Sequence, residues 1–413
     1  MKWTGRLPEV TSGQRHMTAP GERSILVLNV GSSTLKFGLF PASEGDDAQL
    51  QGVLEYSSPG KSGRLQVSDS KGRTDSREIA ATRDSAAAEL LRYLKQDSLL
   101  DSVESVGHRL VHGGMTLKEP VRIDAKVRAQ LDDVIPLAPD HLPPELRAID
   151  EVTRLAPSLP QVACFDTGFH SQMPIVARLF GLPRQLSNSG VLRYGFHGLS
   201  YEYVVHRLRS LGELAPRTVV AHLGNGASMA ALLDGVSIDT TMGMTPSGGL
   251  VMSTRSGDLD PGVMIYLLRS RGFSISDLDE ATTRIGGLLG ISESSSDVRD
   301  LLAASSADAR ANDALGVFCY QASKFVGAYA AALGGIDALV FTGGIGEHSP
   351  EVRDRICEKL DFLGIRIDPV LNRRNAEVIS PANYRVVIRA VKSREEVMIA
   401  RHARASLASM SVS

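Results

Sequence analysis

Four segments of the chain place arginine, histidine or aspartate among glycines and other small residues. Arg109 lies in GHRLVHGG, Asp166 in CFDTGFH, His197 in RYGFHGLS and Arg255 in MSTRSGDLDPG. Any one of these segments alone is more typical of a capped turn or a surface ion pair than of a site. Together with glycine-rich anion cradles they predict phosphoryl transfer, because the three equatorial oxygens of a migrating phosphoryl group carry negative charge that a site must offset.

A glycine-rich turn interrupts the apolar run ILVLNVGSSTLKFGLF. Glycine lets the backbone approach a ligand closely, and successive amides with hydroxyl groups form an anion cradle. The turn residues Asn29, Ser32, Ser33 and Thr34 would then face a phosphate or a hydrated metal, with Lys36 adding positive charge. The same residues also form ordinary β-hairpin turns, and the stretch alone is equally compatible with that alternative. The chain has neither a Walker lysine motif nor a dinucleotide-binding GxGxxG.

The elements that must position these residues alternate between strand and helix. The segment RTVVAHLGNGASMAALLDGVSIDTT repeats the strand-turn-strand plan of the first glycine-rich segment, which suggests two copies of one unit. The segment DALVFTGGIGEHSPEVRDRICEKL predicts a strand, a glycine loop and a helix that begins near Ser349 and Pro350. Apolar periodicity predicts further helices over Ser85–Gln96, Pro143–Ala156 and Asp313–Leu333. The predicted class is α/β.

Length and composition restrict the class of protein. With 413 residues, 43% of them hydrophobic, the chain is long enough for two domains with sizeable cores. A formal charge of −2 with scattered signs predicts no nucleic-acid partner, and no stretch approaches the ~20 apolar residues of a membrane span. Cys164, Cys319 and Cys357 lie far apart, which favours a reducing cytoplasm over a disulfide framework. Residues 1–23 lack the apolar core of a secretory signal and are predicted to form a loose extension.

A longer series of motifs resembles one enzyme family. In order, VLNVGSSTLKF, GHRLVHGG, PLAPDHLPP, FDTGFH, RYGFHGLS, HLGNGAS, TMGMTPSGGLVMSTRSGDLDPG, SSDVRDL and FTGGIGEHSPEVRDRI follow the pattern of the acetate kinase family, which includes propionate kinases, from about Ser24 to about Arg401. The resemblance implies the α/β fold of sugar kinases, Hsp70 and actin, with two domains, each on a duplicated ribonuclease H-like core, and ATP in the cleft between them. It implies a first domain of residues 24–168 and 394–413 and a second, nucleotide-binding domain of residues 169–393.

The same resemblance implies roles for individual residues. The catalytic residues would be Arg109, Asp166, His197 and Arg255. The substrate-binding residues would be Arg109, Val111, Asp140, His141, Phe196 and Pro246. The nucleotide-binding residues would be Lys36, His222, Leu223, Gly224, Asn225, Gly226, Asp297, Val298, Arg299, Gly344, Ile345, Gly346, Glu347 and His348, and the metal-site residues would be Asn29 and Glu395.

The reaction implied by the resemblance is reversible, Mg²⁺-dependent phosphoryl transfer from ATP to acetate, giving acetyl phosphate and ADP, with Mn²⁺ as an alternative metal. A carboxylate oxygen would attack the γ-phosphorus in line while the metal, His197, Arg109 and Arg255 hold the developing charge. Because an ionised carboxylate needs no general base, we expect Asp166 to position Arg109 or the metal. The resemblance also implies a homodimer, and the interdomain cleft implies closure on the substrates.

Three departures from the family pattern bear on substrate choice and on the site. Asp140 stands where an apolar leucine usually lines the acyl pocket, Leu142 replaces an asparagine, and Tyr201 replaces a common histidine. An ionised Asp140 inside the pocket would repel a carboxylate substrate, so it must turn away, be neutralised or face a polar acyl group. Since one methylene in such a pocket is worth only ~1–3 kcal/mol, a propionate kinase or a kinase for another short-chain acid is an alternative. An alternative of another class, a non-catalytic nucleotide-binding module of the Hsp70 or actin type, would not need the two arginines and the histidine together.

Overall fold

Two β-sheets organise the protein. A computed structural model describes residues 23–31, 33–57 and 62–410. Except for its last residue, the predicted extension of residues 1–23 lies outside these ranges, as does Ser32 of the first glycine-rich turn. No helix within the described ranges combines the length and the apolar character that crossing a bilayer requires.

The strands are β1 (Ser24–Val30), β2 (Thr34–Pro41), β3 (Leu50–Glu55), β4 (Gly63–Asp69), β5 (Thr74–Ile79), β6 (Val103–Leu110), β7 (Val121–Arg122), β8 (Gln161–Phe165), β9 (Arg217–Leu223), β10 (Ala227–Leu233), β11 (Val236–Thr240), β12 (Ala338–Thr342) and β13 (Val387–Ala390). The α-helices are α1 (Ala86–Gln96), α2 (Ala125–Val134), α3 (Leu142–Leu155), α4 (Ile175–Arg178), α5 (Arg184–Asn188), α6 (Gly198–Ser210), α7 (Pro261–Ser270), α8 (Ile275–Thr283), α9 (Gly287–Ser292), α10 (Val298–Ala304), α11 (Ala309–Ala332), α12 (Gly343–His348), α13 (Pro350–Cys357), α14 (Pro369–Arg373) and α15 (Glu395–Met410).

Both sheets contain the same five-strand unit. The first sheet has the order β5-β4-β3-β2-β1-β6-β8-β7 and the second has the order β11-β10-β9-β12-β13. In each sheet, three consecutive antiparallel strands are followed by parallel strands, β6 beside β1 and β12 beside β9. Every residue of the central strand β1 is buried, as expected for a strand covered on both faces. The α/β class is confirmed, and so is the prediction that the two strand-turn-strand segments are copies of one unit.

The helices predicted from apolar periodicity are present. The predictions over Ser85–Gln96, Pro143–Ala156 and Asp313–Leu333 correspond to α1, α3 and α11, with ends that differ by at most four residues. In α1 the buried residues are the alanines, the leucines and Tyr93, and most of them pack with residues of the first sheet. Helix period and core burial therefore agree in these segments.

One predicted loop is helical. The glycine-rich segment between β12 and the helix predicted near Ser349 forms α12, and the predicted helix follows as α13. Gly343 has a φ of 76°, a left-handed conformation that turns the chain directly from β12 into the helix. A Cβ at this position would also lie 2.7 Å from the carbonyl oxygen of Leu223, so glycine is required for the close packing on β9.

Helix α6 lies between the two sheets. Its residues Leu199 and Tyr203 pack with residues of β1, β8 and α15. Tyr201 and Val204 face the other way and pack with residues of β9, β10 and β12. His197 precedes the helix as its N-cap residue, in a left-handed conformation with a φ of 59°. The helix thus determines where His197 stands relative to both sheets.

Candidate active site between the two sheets

Two adjoining cavities occupy the space between the halves of the molecule. The first cavity has a volume of about 950 Å³ and is lined by Lys36, His222, Asp297, Gly344 and Glu395, among other residues. The second cavity has a volume of about 910 Å³. Asn225, in the turn between β9 and β10, lines both cavities. The tight β9-β10 turn therefore lies where the two cavities meet.

Most residues that the resemblance assigns to the nucleotide line the first cavity: Lys36, His222, Gly224, Asn225, Asp297, Val298, Arg299, Gly344, Ile345, Glu347 and His348. Leu223 and Gly346 are buried behind it, and Gly226 lines the second cavity instead. Glu347 accepts a hydrogen bond from the amide of Ser393 at 2.8 Å, which attaches α12 to the segment that leads into α15. The predicted nucleotide segments, although far apart in sequence, thus surround one cavity.

Arg109 and Asp166 form a buried, bidentate ion pair. Arg109 lies near the end of β6, and Asp166 directly follows β8, the parallel neighbour of β6. The Arg109 Nε and Nη2 atoms donate to Asp166 Oδ1 at 3.2 Å and Oδ2 at 2.5 Å. Glu395 Oε2 lies 3.7 Å from Arg109 Nε, and Glu145 Oε1 lies 4.0 Å from Arg109 Nη1. Burial opposes the charge, but the carboxylates of Asp166, Glu395 and Glu145 raise the pKa of Arg109. The guanidinium is therefore charged and held in a defined orientation.

His197 and Arg255 approach the β9-β10 turn together. A Cβ placed on Gly226 would lie 3.2 Å from His197 Nε2 and 3.7 Å from Arg255 Nη1. The His197 ring stacks on the ring of His222 with a centroid separation of 4.2 Å. Burial first, and then the charges of His222, Arg109 and Arg255, lower the pKa of His197 well below its ordinary value. A neutral imidazole and an arginine therefore stand side by side at the junction of the cavities.

Arg255 also connects the two halves of the molecule across the second cavity. Its Nη2 atom lies 3.2 Å from His141 Nε2, and its Nη1 atom donates to the carbonyl oxygen of Pro246 at 3.0 Å. Burial and then the charge of Arg255 lower the pKa of His141 to about 3, so the neutral His141 ring accepts this hydrogen bond. His141 and Pro246, both predicted to bind the substrate, thus orient the arginine.

Asp140 is paired with an arginine at the mouth of the second cavity. Its carboxylate is half-exposed and lies 3.1 Å from Arg284 Nη2. Of the three ways in which this acid could be tolerated, the structure shows pairing with a cation. Val111 and Phe196, the apolar members of the predicted acid pocket, are buried deeper in the core than Asp140. Leu142 is completely buried at the start of α3.

Asn29 and Glu395 are adjacent, as the predicted metal site requires. The Asn29 Nδ2 group donates to Glu395 Oε2 at 3.1 Å, which leaves the amide oxygen of Asn29 available. Burial opposes ionisation of Glu395, but Arg109, His222 and Lys36 lower its pKa. The described residues contain no group of three or more histidine, cysteine or acidic side chains that could hold a metal ion. An ionised carboxylate with an amide oxygen fits Mg²⁺, which keeps several waters and binds substrate phosphates instead of a complete protein cage.

Comparison with known proteins decides the family. The sequence model of the Acetokinase family matches residues 24–401. The chain belongs to the Acetokinase family. It is 44% identical to the acetate kinase of Rhodopseudomonas palustris over 387 residues, 92% of this chain and 97% of that protein. It is 42% identical to the acetate kinase of Methylocella silvestris over 404 residues, 94% of this chain and 99% of that protein.

Solved structures of the family have the same fold. The crystal structure of Porphyromonas gingivalis acetate kinase is 38% identical to the chain, with a TM-score of 0.83 over 93% of this chain and all of that one. The crystal structure of a propionate kinase from Francisella tularensis is 35% identical, with a TM-score of 0.85 over 93% of this chain and 99% of that one. The resemblance seen in the sequence motifs is confirmed, and with it the sugar kinase and actin fold. The family phosphorylates a carboxylate with ATP as co-substrate.

Sequence reasoning missed Glu145. This residue lies in the first turn of α3, where an acidic residue is ordinarily exposed, yet it is 1% exposed. Its Oε2 atom accepts a hydrogen bond from the Val111 amide at 3.0 Å, and its Oε1 atom makes no hydrogen bond to the described residues. Burial raises the pKa of Glu145 to about 8 despite the nearby Arg109. Its place in a predicted helix gave no sign that the side chain turns toward Arg109.

Sequence reasoning also missed Arg353, a completely buried residue of α13. Its five N–H groups donate to five oxygen atoms of neutral groups at 2.7 to 3.0 Å. Two acceptors are the carbonyl oxygens of Gly346 and Glu347 at the end of α12, and the others belong to Asn372 and Asn375. The arginine therefore attaches α12, and with it one wall of the first cavity, to α14 and to Asn375, which lies two residues beyond that helix.

We expect Glu145→Gln to change the pH dependence of stability. The unfolded carboxyl ionises near its ordinary pKa of 4.5, whereas the folded group keeps its proton to about pH 8, so the wild type loses stability as the pH rises through this window. Glutamine keeps the acceptor for the Val111 amide and does not titrate. In urea denaturation, the free energy of unfolding of the variant, relative to that of the wild type, should rise by on the order of 2–4 kcal/mol from pH 5 to pH 8. Glu151→Gln, at a partly exposed site on the same helix, is the control, and an equal difference at both pH values would contradict the prediction.

We expect Arg353→Met to destabilise the protein strongly. The change removes all five hydrogen bonds and leaves buried carbonyl groups without donors, which predicts a loss of about 3–5 kcal/mol in the free energy of unfolding. Urea denaturation measures this loss. Arg373→Met, at an exposed position in α14, controls for the loss of an arginine and should change stability by less than about 0.5 kcal/mol. Similar values for the two variants would show that the buried network contributes little.

Proposed function

We propose that the protein is an acetate kinase that transfers the γ-phosphoryl group of ATP to acetate, giving acetyl phosphate and ADP. The enzyme would also catalyse the reverse reaction. The observation that carries this proposal is the meeting of His197 and Arg255 at Gly226, where the two cavities join. Membership of the Acetokinase family, with relatives named acetate kinase that are 42 and 44% identical, supports acetate as the substrate. A non-catalytic nucleotide-binding module would not need this convergence on a second cavity.

The proposed reaction follows from the positions of the charged groups. ATP in the first cavity would direct its γ-phosphoryl group toward the β9-β10 turn, and the acid would reach the same point from the second cavity. Arg109, oriented by Asp166, would hold the acid carboxylate, whose oxygen attacks the γ-phosphorus in line. His197 and Arg255 would donate hydrogen bonds to the equatorial oxygens as their charge develops. Since the nucleophile is already ionised, Asp166 would act through Arg109 and not as a general base.

We also propose that Mg²⁺ is the metal and that Asn29 and Glu395 hold it beside Lys36, with Mn²⁺ as an alternative. When bound, the ion would neutralise charge on the phosphates. Lys36 lines the same cavity as Glu395, so the phosphates would meet a cation on the protein as well. The remaining Asn29 oxygen and the ionised Glu395 are the donors this proposal uses.

The proposed domains are residues 24–168 with 394–413, and residues 169–393. Sheet membership supports this division, because β1 to β8 form one sheet and β9 to β13 form the other. Closure of the two domains would exclude water from the transferring phosphoryl group and limit ATP hydrolysis. Cys164, Cys319 and Cys357 are all unpaired and buried, which suits a reducing compartment such as the cytoplasm.

We further propose a homodimer that forms through α7. All of its residues are exposed or half-exposed, and its sequence PGVMIYLLRS is mostly apolar. A ten-residue helix is marginal in water without a packing surface. We call the exposed side chains of Leu259, Val263, Met264, Ile265, Tyr266, Leu268 and Ile275 the apolar patch. A second copy is the proposed occupant, because a two-fold axis brings the same surface together twice and homodimer interfaces are more apolar than transient ones.

An acid panel tests the proposed reaction. With ATP, Mg²⁺ and hydroxamate detection of the acyl phosphate, we expect kcat/KM to be highest for acetate and about 5–150-fold lower for propionate. Arg255→Ala should reduce kcat by about 100–1,000-fold while ATP binding persists. Arg366→Ala, which breaks an exposed ion pair with Asp361, is the control and should match the wild type. Binding of ATP with no turnover of any short acid would favour the non-catalytic module.

Ile265→Glu tests the proposed dimer. A charge in the centre of the apolar patch would be desolvated on both subunits, so sedimentation should show a dimeric wild type and a monomeric variant. Phe362→Glu, which changes an even more exposed hydrophobic residue outside the patch, should remain dimeric. A monomeric wild type, or an Ile265→Glu variant that stays dimeric, would contradict this interface.

A further inference from the structure

A chain of hydrogen bonds leads from the protein interior to His197. The Tyr201 hydroxyl lies 2.5 Å from Ser228 Oγ, and Ser228 Oγ lies 2.8 Å from His197 Nδ1. Tyr201 and Ser228 are completely buried. Tyr201 lies on α6 one turn after His197, and Ser228 lies on β10 two residues after Gly226, so two elements direct polar groups at one ring nitrogen.

The direction of the protons in this chain follows from what each group can donate. Burial raises the pKa of Tyr201, so its hydroxyl keeps its proton and is a donor. Among the described residues Ser228 Oγ is the acceptor that the structure gives this hydroxyl. If Ser228 instead donated to Tyr201, the phenolic proton would be buried without an acceptor among the described residues, which is unfavourable. The favoured order is therefore Tyr201 to Ser228 to His197.

This order determines the tautomer of His197. When Ser228 donates to Nδ1, that nitrogen accepts through its lone pair, and the proton of a neutral ring resides on Nε2. Nε2 is the atom that faces Gly226 beside Arg255, at the junction of the cavities. The ring thus presents an N–H group where a phosphoryl oxygen would gain negative charge. The opposite tautomer would present a lone pair and repel that oxygen.

The orientation of the His197 ring depends on contacts with other side chains. His197 is the N-cap residue of α6 and does not have helical backbone geometry. His197 has a φ of 59°, a left-handed conformation that is unfavourable for a residue other than glycine. One face of the ring is occupied by His222, at a centroid distance of 4.2 Å. The stack determines the plane of the ring but not which nitrogen carries the proton. Among the hydrogen bonds of the described residues, the one with Ser228 at Nδ1 distinguishes the two nitrogens.

We propose that Tyr201 and Ser228 are positioning residues that hold His197 as the neutral Nε2–H tautomer directed at the transferring phosphoryl group, an inference that rests on the proposed function. They do not touch the substrates. Their contribution is to place a ready-made donor at the transition state, so that no proton has to move within the ring during phosphoryl transfer. Tyr201, which stands where the family often has histidine, has Ser228 Oγ as the acceptor for its hydroxyl among the described residues, and this favours the order Tyr201 to Ser228 to His197.

The first test reads the tautomer without turnover. In ¹⁵N-histidine-labelled protein, with the His197 signals assigned by their loss in His197→Gln, the wild type should show a protonated Nε2 and an unprotonated Nδ1. Tyr201→Phe frees the Ser228 hydroxyl to rotate and should shift both His197 nitrogens toward averaged values. Ser228→Ala should produce the larger shift, and Ser228→Thr, which keeps the hydroxyl, should restore the wild-type pattern. A wild-type ring protonated on Nδ1, or unchanged signals in Tyr201→Phe, would overturn the proposal.

The second test separates positioning from simple stabilisation. For acetate and ATP, Tyr201→Phe should lower kcat about 10-fold with both KM values within about 2-fold of the wild type, since only the transition state loses a well-directed donor. Tyr329→Phe removes another buried hydroxyl, one without a hydrogen bond to the described residues, and should leave kcat unchanged. Equal kcat values for Tyr201→Phe and the wild type would contradict the inference. A wild type inactive on every short acid would contradict the proposed function instead, and the tautomer measurement would still decide the hydrogen-bond chain.

Discussion

The buried pair of Arg109 and Asp166 is the interaction on which the site depends. A guanidinium in this position would be unstable without a carboxylate, and a bidentate partner fixes its direction as well as its charge. The same aspartate also orders its surroundings, because its carbonyl oxygen accepts from the Gly198 amide at 3.0 Å. A Cβ on Gly198 would lie 2.0 Å from that oxygen. The first residue of α6 must therefore be glycine for the helix to pack this closely against Asp166. His197 is the residue immediately before this contact.

Helix α6 connects the region around Asp166 to the second sheet. Because its opposite faces pack on different sheets, a shift of one sheet relative to the other would disturb the N-terminus of the helix. Other contacts cross the same space: His141 meets Arg255, and Asp140 meets Arg284. The half-exposed Asp140 pair is screened by water and contributes little, whereas the buried contact with Arg255 sets a geometry. The two halves thus meet through a few directed polar contacts around two cavities.

Charge balance explains why so many ionisable groups can share this region. Arg109 faces three carboxyl groups, and burial keeps Glu145 protonated up to about pH 8, so the guanidinium does not face three full negative charges at neutral pH. His197 and His222 are neutral for the same reason, since burial lowers their pKa values. A site prepared in this way has its donors oriented before a phosphoryl group arrives, and little reorganisation is needed as charge develops.

The α/β class, the repeated strand-turn-strand unit, the main helices and the family could all be predicted from the order of the amino acids, because apolar periodicity and ordered motifs are local properties of the chain. The motifs also indicated that Arg109, Arg255 and His197 belong to the candidate site. Which side chains meet became visible only in the folded protein: Asp140 pairs with Arg284, Glu145 turns inward toward Arg109, and Tyr201 contacts His197 through Ser228. These outcomes depend on distances between residues remote in sequence, and burial, which sets the charge of each group, exists only once the sheets and helices have packed.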